Sequence, residues 1–144
     1  MCMPSLENLS YYAGFFDGEG SVSINYHLSG RAKSPSYQLR TYVTNANPIV
    51  IYQLQAAFDG SIRIRPSVGN HKTYYVWTTF GPKAAKFLEA IQPHLRLKVE
   101  QCQIGIEFQK LLKSLPSKRK SVNDLAKLEV FKRQIHVLNK RGVY

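Results

Sequence analysis

The most regular feature of the chain is alternation. Residues 21–28 switch between polar and apolar at each step, the period of a strand with one buried face. Val22, Ile24, Tyr26 and Leu28 are expected to face a core, and Ser23, Asn25 and His27 the opposite side. Residues 38–44 repeat the pattern: Leu39 and Val43 point inward, so Gln38, Arg40 and Tyr42 point outward. Ser61–Arg65 puts two isoleucines on one face, with Arg63 and Arg65 on the other. Residues 73–79 read as a fourth strand. Both of its sides carry apolar groups, so alternation does not orient it, and Tyr75 or Trp77 is expected on the outer face.

Helical spacing fills the intervals. Leu6, Leu9, Ala13 and Phe16 recur along residues 5–20, with Ser5 as N-cap and Glu7 in the first turn. Asn47-Pro48 opens a second helix with Ile51, Leu54 and Phe58 as its stripe, ended by Asp59-Gly60. Gly81-Pro82 opens a third, with Ala84, Leu88 and Ile91 inward and Pro93 closing it. Residues 97–114 carry apolar side chains over a broad surface, which predicts a helix buried between layers. Ser121 and Asp124 have capping-box spacing and start a last helix, with Leu125, Leu128, Ile135 and Leu138 inward. Lys140 and Arg141 suit the negative end of its dipole.

The order helix, two strands, helix, two strands, then helices predicts an α+β domain with an antiparallel sheet and helices on one face. The two strand–strand–helix units look like an internal repeat. One domain over 1–144 is expected, with its core at about 5–115 and the last helix at about 121–140.

Charge narrows the function. Twenty Lys and Arg against nine Asp and Glu give +11 and a pI near 9.8, which points to a polyanionic partner, nucleic acid before membrane. The outer sheet face would carry Ser23, Asn25, His27, Gln38, Arg40, Tyr42, Arg63 and Arg65, and the four strands hold no acid. Arg31 and Lys33 lie in the turn after the first strand, and Lys72 before the fourth. Arg, Lys, Asn and Gln are the side chains that read base edges, and a sheet can present them to the major groove. Double-stranded DNA is the expected partner. No apolar run approaches the length of a membrane span, and the first residues do not form a signal peptide. Cys2 and Cys102 read as free thiols, and His27, His71, His94 and His136 form no ligand pair.

The chemistry gathers in residues 11–20. Gly14 and Gly18 are four apart and share one bare helix face, flanked by Ala13 and Asp17. Such a face admits a close backbone approach. Glu19 ends the helix, so its carboxylate sits at the negative pole of the dipole. A cation would remove that conflict, and Mg²⁺ takes carboxylate and carbonyl oxygens.

This run resembles the LAGLIDADG motif of homing endonucleases. Ala13-Gly14-Phe15-Phe16-Asp17-Gly18-Glu19-Gly20 matches the signature, and Ser21-Val22-Ser23-Ile24 continues as the family does. Tyr12 replaces the usual first Leu. The likeness extends over residues 5–115 in strand order and helix placement, as in the single-motif members. It implies an αββαββα fold with an antiparallel DNA-binding sheet, here with an extra C-terminal helix. Asn45 looks like the family's Asn or Gln near the cleaved phosphate, and Lys98, in Leu95-Arg96-Leu97-Lys98, like its peripheral catalytic Lys. A further basic residue that members carry near Asn45 falls on Ile49; Arg96 and Lys72 are candidates for that role.

The resemblance implies a homodimer packed through Tyr12, Ala13, Gly14, Phe16, Asp17 and Gly18. Glu19 and the Gly18 carbonyl would hold Mg²⁺. Mn²⁺ would substitute, and Ca²⁺ would support binding without cleavage. Asn45 would orient water and Lys98 would stabilise developing charge. The implied activity is double-strand cleavage of a pseudo-palindrome of about 20 bp, leaving short 3′ overhangs. The gene would lie in an intron or intein, and the protein would act inside the cell, in the compartment of the encoding genome. Two other classes stand beside it. One is a LAGLIDADG-derived RNA maturase or DNA-binding regulator without cleavage, which intact Glu19, Asn45 and Lys98 argue against. The other is a membrane-surface or scaffold protein. It would need a cationic amphipathic helix with a free apolar face, and the core claims each such face.

Overall fold

Two strand–strand–helix units lie side by side behind a leading helix. The computed structural model describes residues 4–28, 30, 35–117 and 119–140. Cys2, Arg31, Lys33 and Arg141 lie outside the described residues. Helix α1 (Leu6–Glu19) leads into β1 (Gly20–His27), β2 (Ser36–Asn45) and α2 (Pro48–Phe58). β3 (Ser61–Arg65), β4 (Tyr74–Phe80) and α3 (Gly81–Ile91) follow. After a 3-10 turn at Gln92–His94 come α4 (Val99–Ser114) and α5 (Val122–Lys140). All strand pairs are antiparallel, in the order β1-β2-β4-β3. The repeat is visible in that order, because the second strand of each unit lies at the centre. The sequence pattern predicts the elements and their types, but α4 starts at Val99 rather than at 97.

The caps follow the expected chemistry. The Ser5 side chain accepts from the Asn8 N–H at 3.2 Å, and Asn47 accepts from the Ile49 N–H at 3.0 Å with Pro48 next in line. Ser121 and Asp124 exchange two bonds, at 3.1 and 3.2 Å, and open α5 as a reciprocal box.

The core lies between one sheet face and the helices. Val22, Leu39, Val43, Trp77, Phe16, Phe87 and Leu88 are essentially inaccessible. Phe87 sits at its aromatic centre, with Phe16, Phe58 and Trp77 meeting it edge-on at 5.3, 4.9 and 4.8 Å between ring centroids. Edge-to-face pairs contribute beyond the area they bury. Thr41 and Thr79, the buried polar residues of this core, are cross-strand partners whose hydroxyls meet at 2.5 Å. Each satisfies the other, which is what allows polar atoms inside.

Two glycines admit close approach. A Cβ on Gly20 would fall 2.2 Å from the Phe16 ring, and one on Gly105 2.9 Å from Leu88, with Leu39 and Val22 at 3.2 Å. Gly20 therefore lets the chain turn from α1 into β1 over the Phe16 ring. Gly105 lets α4 settle onto the sheet.

Two expectations change. Tyr26 and Leu28 are exposed, at 45% and 57%; Leu28 lies beyond the end of β1. Tyr26 instead meets Tyr37 edge-on at 5.3 Å, under the Lys132 ammonium. Trp77 is fully buried and Tyr75 lies on the helix side, near Tyr52 of α2. Neither joins the outer face. The exposed edge of β1 is covered by α5, whose Asn139 amide donates to the Val22 carbonyl at 2.9 Å. The same helix is anchored by Tyr37, whose hydroxyl donates to Glu129 at 2.6 Å.

Candidate functional site

Strand register defines the open face of the sheet. Ser23 faces Arg40, Asn25 faces Gln38, Arg40 faces Phe80, Tyr42 faces Thr78, Ser61 faces Thr78 and Arg63 faces Val76. Cross-strand partners share a face. Ser23, Asn25, His27, Gln38, Arg40, Tyr42, Arg63 and Arg65 therefore lie together there, and none of the strand residues on that side is acidic. β4 contributes Tyr74, Val76, Thr78 and Phe80 in place of Tyr75 and Trp77. The sequence could not orient β4, because both its sides are apolar and the 66–73 loop is too long to fix hairpin register.

Glu19 and Asn45 come to one end of this sheet. Gly20 pairs with Val43, so the end of α1 lies beside the last residues of β2. Asn45 pairs with Tyr75 near the start of β4, so the exposed loop carrying Lys72 leaves from the same end. The Asn45 carbonyl oxygen accepts the Asn47 N–H at 2.8 Å, which leaves its amide N–H₂ as the free donor. Ile49 is 60% exposed one turn later and brings no charge.

Asp17 ties in Lys98. Its carboxylate accepts the backbone N–H groups of Arg96, Leu97 and Lys98 at 2.8, 3.1 and 3.0 Å. Its carbonyl accepts the Lys98 ammonium at 2.5 Å. α1 has no basic residue in its own last turn, so Lys98 supplies the cation its dipole favours. Burial pushes the Lys98 ammonium below the usual lysine range, and the charges of Asp17 and Glu19 work against that shift.

Glu19 is exposed and has no hydrogen bond or ion pair among the described residues. The Gly18 carbonyl belongs to the last turn, where a helix leaves carbonyls unpaired. A free carboxylate beside such a carbonyl fits a hard divalent cation. No cluster of three or more His, Cys, Asp or Glu exists among the described residues.

The bare face of α1 is also resolved. Gly14 and Gly18 are exposed, and a Cβ on either would meet nothing within 4 Å. Tyr12, Ala13 and Phe16, expected on that face, are instead committed to the chain's own core, and the Asp17 carboxylate is occupied by the 96–98 backbone. Tyr11 and Phe15, which the motif did not single out, stack beside the glycines with centroids 6.3 Å apart. Their i, i+4 spacing with an open side was the available signal.

No protein-family model matches the sequence, and no curated protein matches it. Solved structures do. The homing endonuclease I-CvuI, in complex with the I-CreI target, superposes with a TM-score of 0.77 at 17% identity, over 92% of this chain and 82% of that one. The archaeal intron-encoded homing endonuclease I-Vdi141I, complexed with DNA, gives 0.77 at 19%, over 95% and 87%. The LAGLIDADG homing endonuclease I-LtrWI, bound to target DNA, gives 0.69 at 19%, over 93% of this chain and 46% of that one. Strand order, helix placement and these superpositions agree, and the chain has the LAGLIDADG homing-endonuclease fold.

Proposed function

We propose that this chain acts as a homodimeric, site-specific double-stranded DNA endonuclease that depends on a divalent metal. The observation that carries this reading is the unpartnered Glu19 carboxylate beside the clamped Lys98, at the end of a basic, acid-free sheet face. Phosphodiester hydrolysis requires a placed water, charge neutralisation at the phosphoryl group and a stabilised leaving oxygen.

Glu19 and the Gly18 carbonyl would hold Mg²⁺. When bound, the ion would neutralise phosphate charge and acidify water. Asn45 would orient water through its amide N–H₂, which the Asn47 contact leaves free. Lys98 presents a cation to the charge that develops, with its stem fixed by Asp17. Because one chain supplies one Glu19, cutting both strands calls for a second copy. The unfilled Gly14 and Gly18 face offers a two-fold contact that would bring the two Glu19 together. A two-fold protein selects a pseudo-palindrome, of about 20 bp if each sheet follows one turn of the groove. Short 3′ overhangs and an intron or intein setting belong to the same reading.

A binding protein without cleavage is the second reading. It is favoured by Ile49, an exposed apolar residue near Asn45 where the family resemblance implies a base. Exposed Arg96, whose N–H is held by Asp17, and Lys72 are the candidates to replace that charge.

Cleavage of a randomised duplex library, in Mg²⁺ and separately in Ca²⁺, decides between them. The expected result is a palindrome-like site cut only in Mg²⁺, with short 3′ overhangs. Specific binding in Ca²⁺ with no cut in Mg²⁺ would establish the binding reading instead.

A further inference from the structure

We propose that the groove between α3 and α4 docks an acidic amphipathic helix of a partner protein, an inference that stands apart from the DNA chemistry above. The two helices are joined by the short 92–98 connection and pack as antiparallel neighbours, with the Cys102 thiol donating to the Leu88 carbonyl at 3.4 Å. Between them lies a cavity of about 530 Å³. It is on the helix side of the sheet, away from the basic open face.

Each helix gives the groove one stripe. Pro82, Ala85, Lys86 and Glu89 on α3 are spaced i, i+3, i+4, i+7, and Ile106, Gln109, Lys110 and Lys113 on α4 repeat that spacing. Two turns of each helix therefore line it, roughly 10 Å of length at the helical rise. Pro82, Ala85 and Ile106 form an apolar floor. Antiparallel packing sets residues 82–86 beside 109–113, so four lysines gather at one end. Lys83 is held by Asp59 at 2.6 Å, while Lys86, Lys110 and Lys113 are exposed and have no ion pair among the described residues. Glu89, at the other end, is the one acid among the described residues that line the groove.

This pattern specifies the occupant by complementarity. Unpaired ammoniums beside an apolar floor match carboxylates beside aliphatic side chains, which is how an acidic amphipathic helix presents itself to a groove. The floor adds a second demand. The Oε1 of Gln109 is buried without a hydrogen-bond partner, and a buried acceptor costs stability until a donor reaches it. A polypeptide brings N–H and O–H donors. Phosphates only accept, and no aromatic side chain among the described lining residues offers a base a surface to stack on. The groove therefore favours a protein partner over a nucleic acid.

The test is fluorescence anisotropy of a labelled synthetic helix with Glu along one face and Leu along the other, in about 0.15 M salt, where distant charges are screened. The full wild-type chain is expected to bind it about tenfold more tightly than a scrambled peptide of the same composition. Lys86→Glu combined with Lys110→Glu should lose that binding and accept the same helix with Lys in place of Glu. Arg63→Glu combined with Arg65→Glu, on the sheet face, should bind as the wild type does. The single exposed change Lys110→Ser should give a smaller loss, and it keeps the question measurable if the double reversal does not fold. Equal binding of the scrambled peptide, or a loss in the sheet-face variant, means general charge attraction and overturns the assignment. So does an amphipathic helix that does not bind. Tighter binding of a single-stranded RNA, abolished by Lys86→Glu with Lys110→Glu, overturns it in favour of a nucleic-acid groove. A chain that cuts DNA and fails these tests loses this inference alone, and one that passes them without cutting DNA keeps it.

Discussion

Asp17 and Lys98 hold one another in both directions. The Lys98 ammonium donates to the Asp17 carbonyl at 2.5 Å, and the Lys98 backbone N–H donates to the Asp17 carboxylate at 3.0 Å. One contact therefore closes the negative end of α1 and the positive end of α4, two helix termini that each leave backbone groups unpaired. It also sets the Lys98 charge near Glu19. Asp17 is thus a positioning residue, and its carboxylate is already occupied.

Asp17→Ala should cost about 2 kcal/mol, the upper range for loss of a helix cap. Urea unfolding measures this. Cleavage should fall further than DNA affinity, because the 96–98 backbone that carries Lys98 loses the carboxylate holding its N–H groups while the sheet face stays intact. A variant with native stability and native cleavage would remove the clamp from the account.

Glu19→Gln keeps the size of the side chain and removes its charge. Specific binding in Ca²⁺ should survive within a few-fold, and cutting should stop. Gel shift and nicking assays on one duplex separate the two. Continued cleavage in Mg²⁺ would eliminate Glu19 as the metal ligand.

The pH profile should carry the mark of Lys98. Burial lowers its pKa below the ordinary 10.5, so its charge is lost earlier as pH rises. Cleavage that uses the protonated form should decline through that lowered value. The linked stability runs the other way: between the folded and unfolded values the unfolded chain binds more protons, so stability rises with pH there. Lys98→Arg stays protonated and should push the alkaline decline upward. Coincident profiles for the two proteins would contradict this role.

Gly14→Leu separates folding from association. Nothing lies within 4 Å of the added Cβ, and replacing an interior helix glycine gains roughly 0.5–1 kcal/mol of propensity. The variant should melt no lower than the wild type at low concentration. Light scattering should report a monomer in place of a dimer, with cleavage lost. A Leu variant that stays dimeric would move the interface away from this face.

Tyr37→Phe tests how α5 is docked. The bond to Glu129 is charge-assisted, and its loss should cost about 1 kcal/mol at neutral pH. That bond is the main reason Glu129 titrates below the ordinary 4.5. Its contribution is present above 4.5 and disappears as pH falls through the lower folded value. Thermal unfolding of wild type and variant should therefore differ at pH 7 and converge in acid. A difference that persists in acid would assign the cost to packing.

The sequence by itself determined the elements, their order and most of the sheet's two faces. Alternation in 21–28 and 38–44 and the run of residues 13–20 are local signals, and period and caps are enough to read them. It also supplied the candidates Glu19, Asn45, Lys98 and the arginines. Only the tertiary structure decided which groups are already in use. Trp77 and Tyr75 point inward because β4 takes its register from β2, a strand distant in sequence. Tyr12 and Phe16 are core residues because α1 turns that side to Phe58 and Phe87. Asp17 is a clamp because a loop some 80 residues away lays three N–H groups on its carboxylate. These facts depend on contacts between distant parts of the chain, and residue pattern within one element carries no record of them.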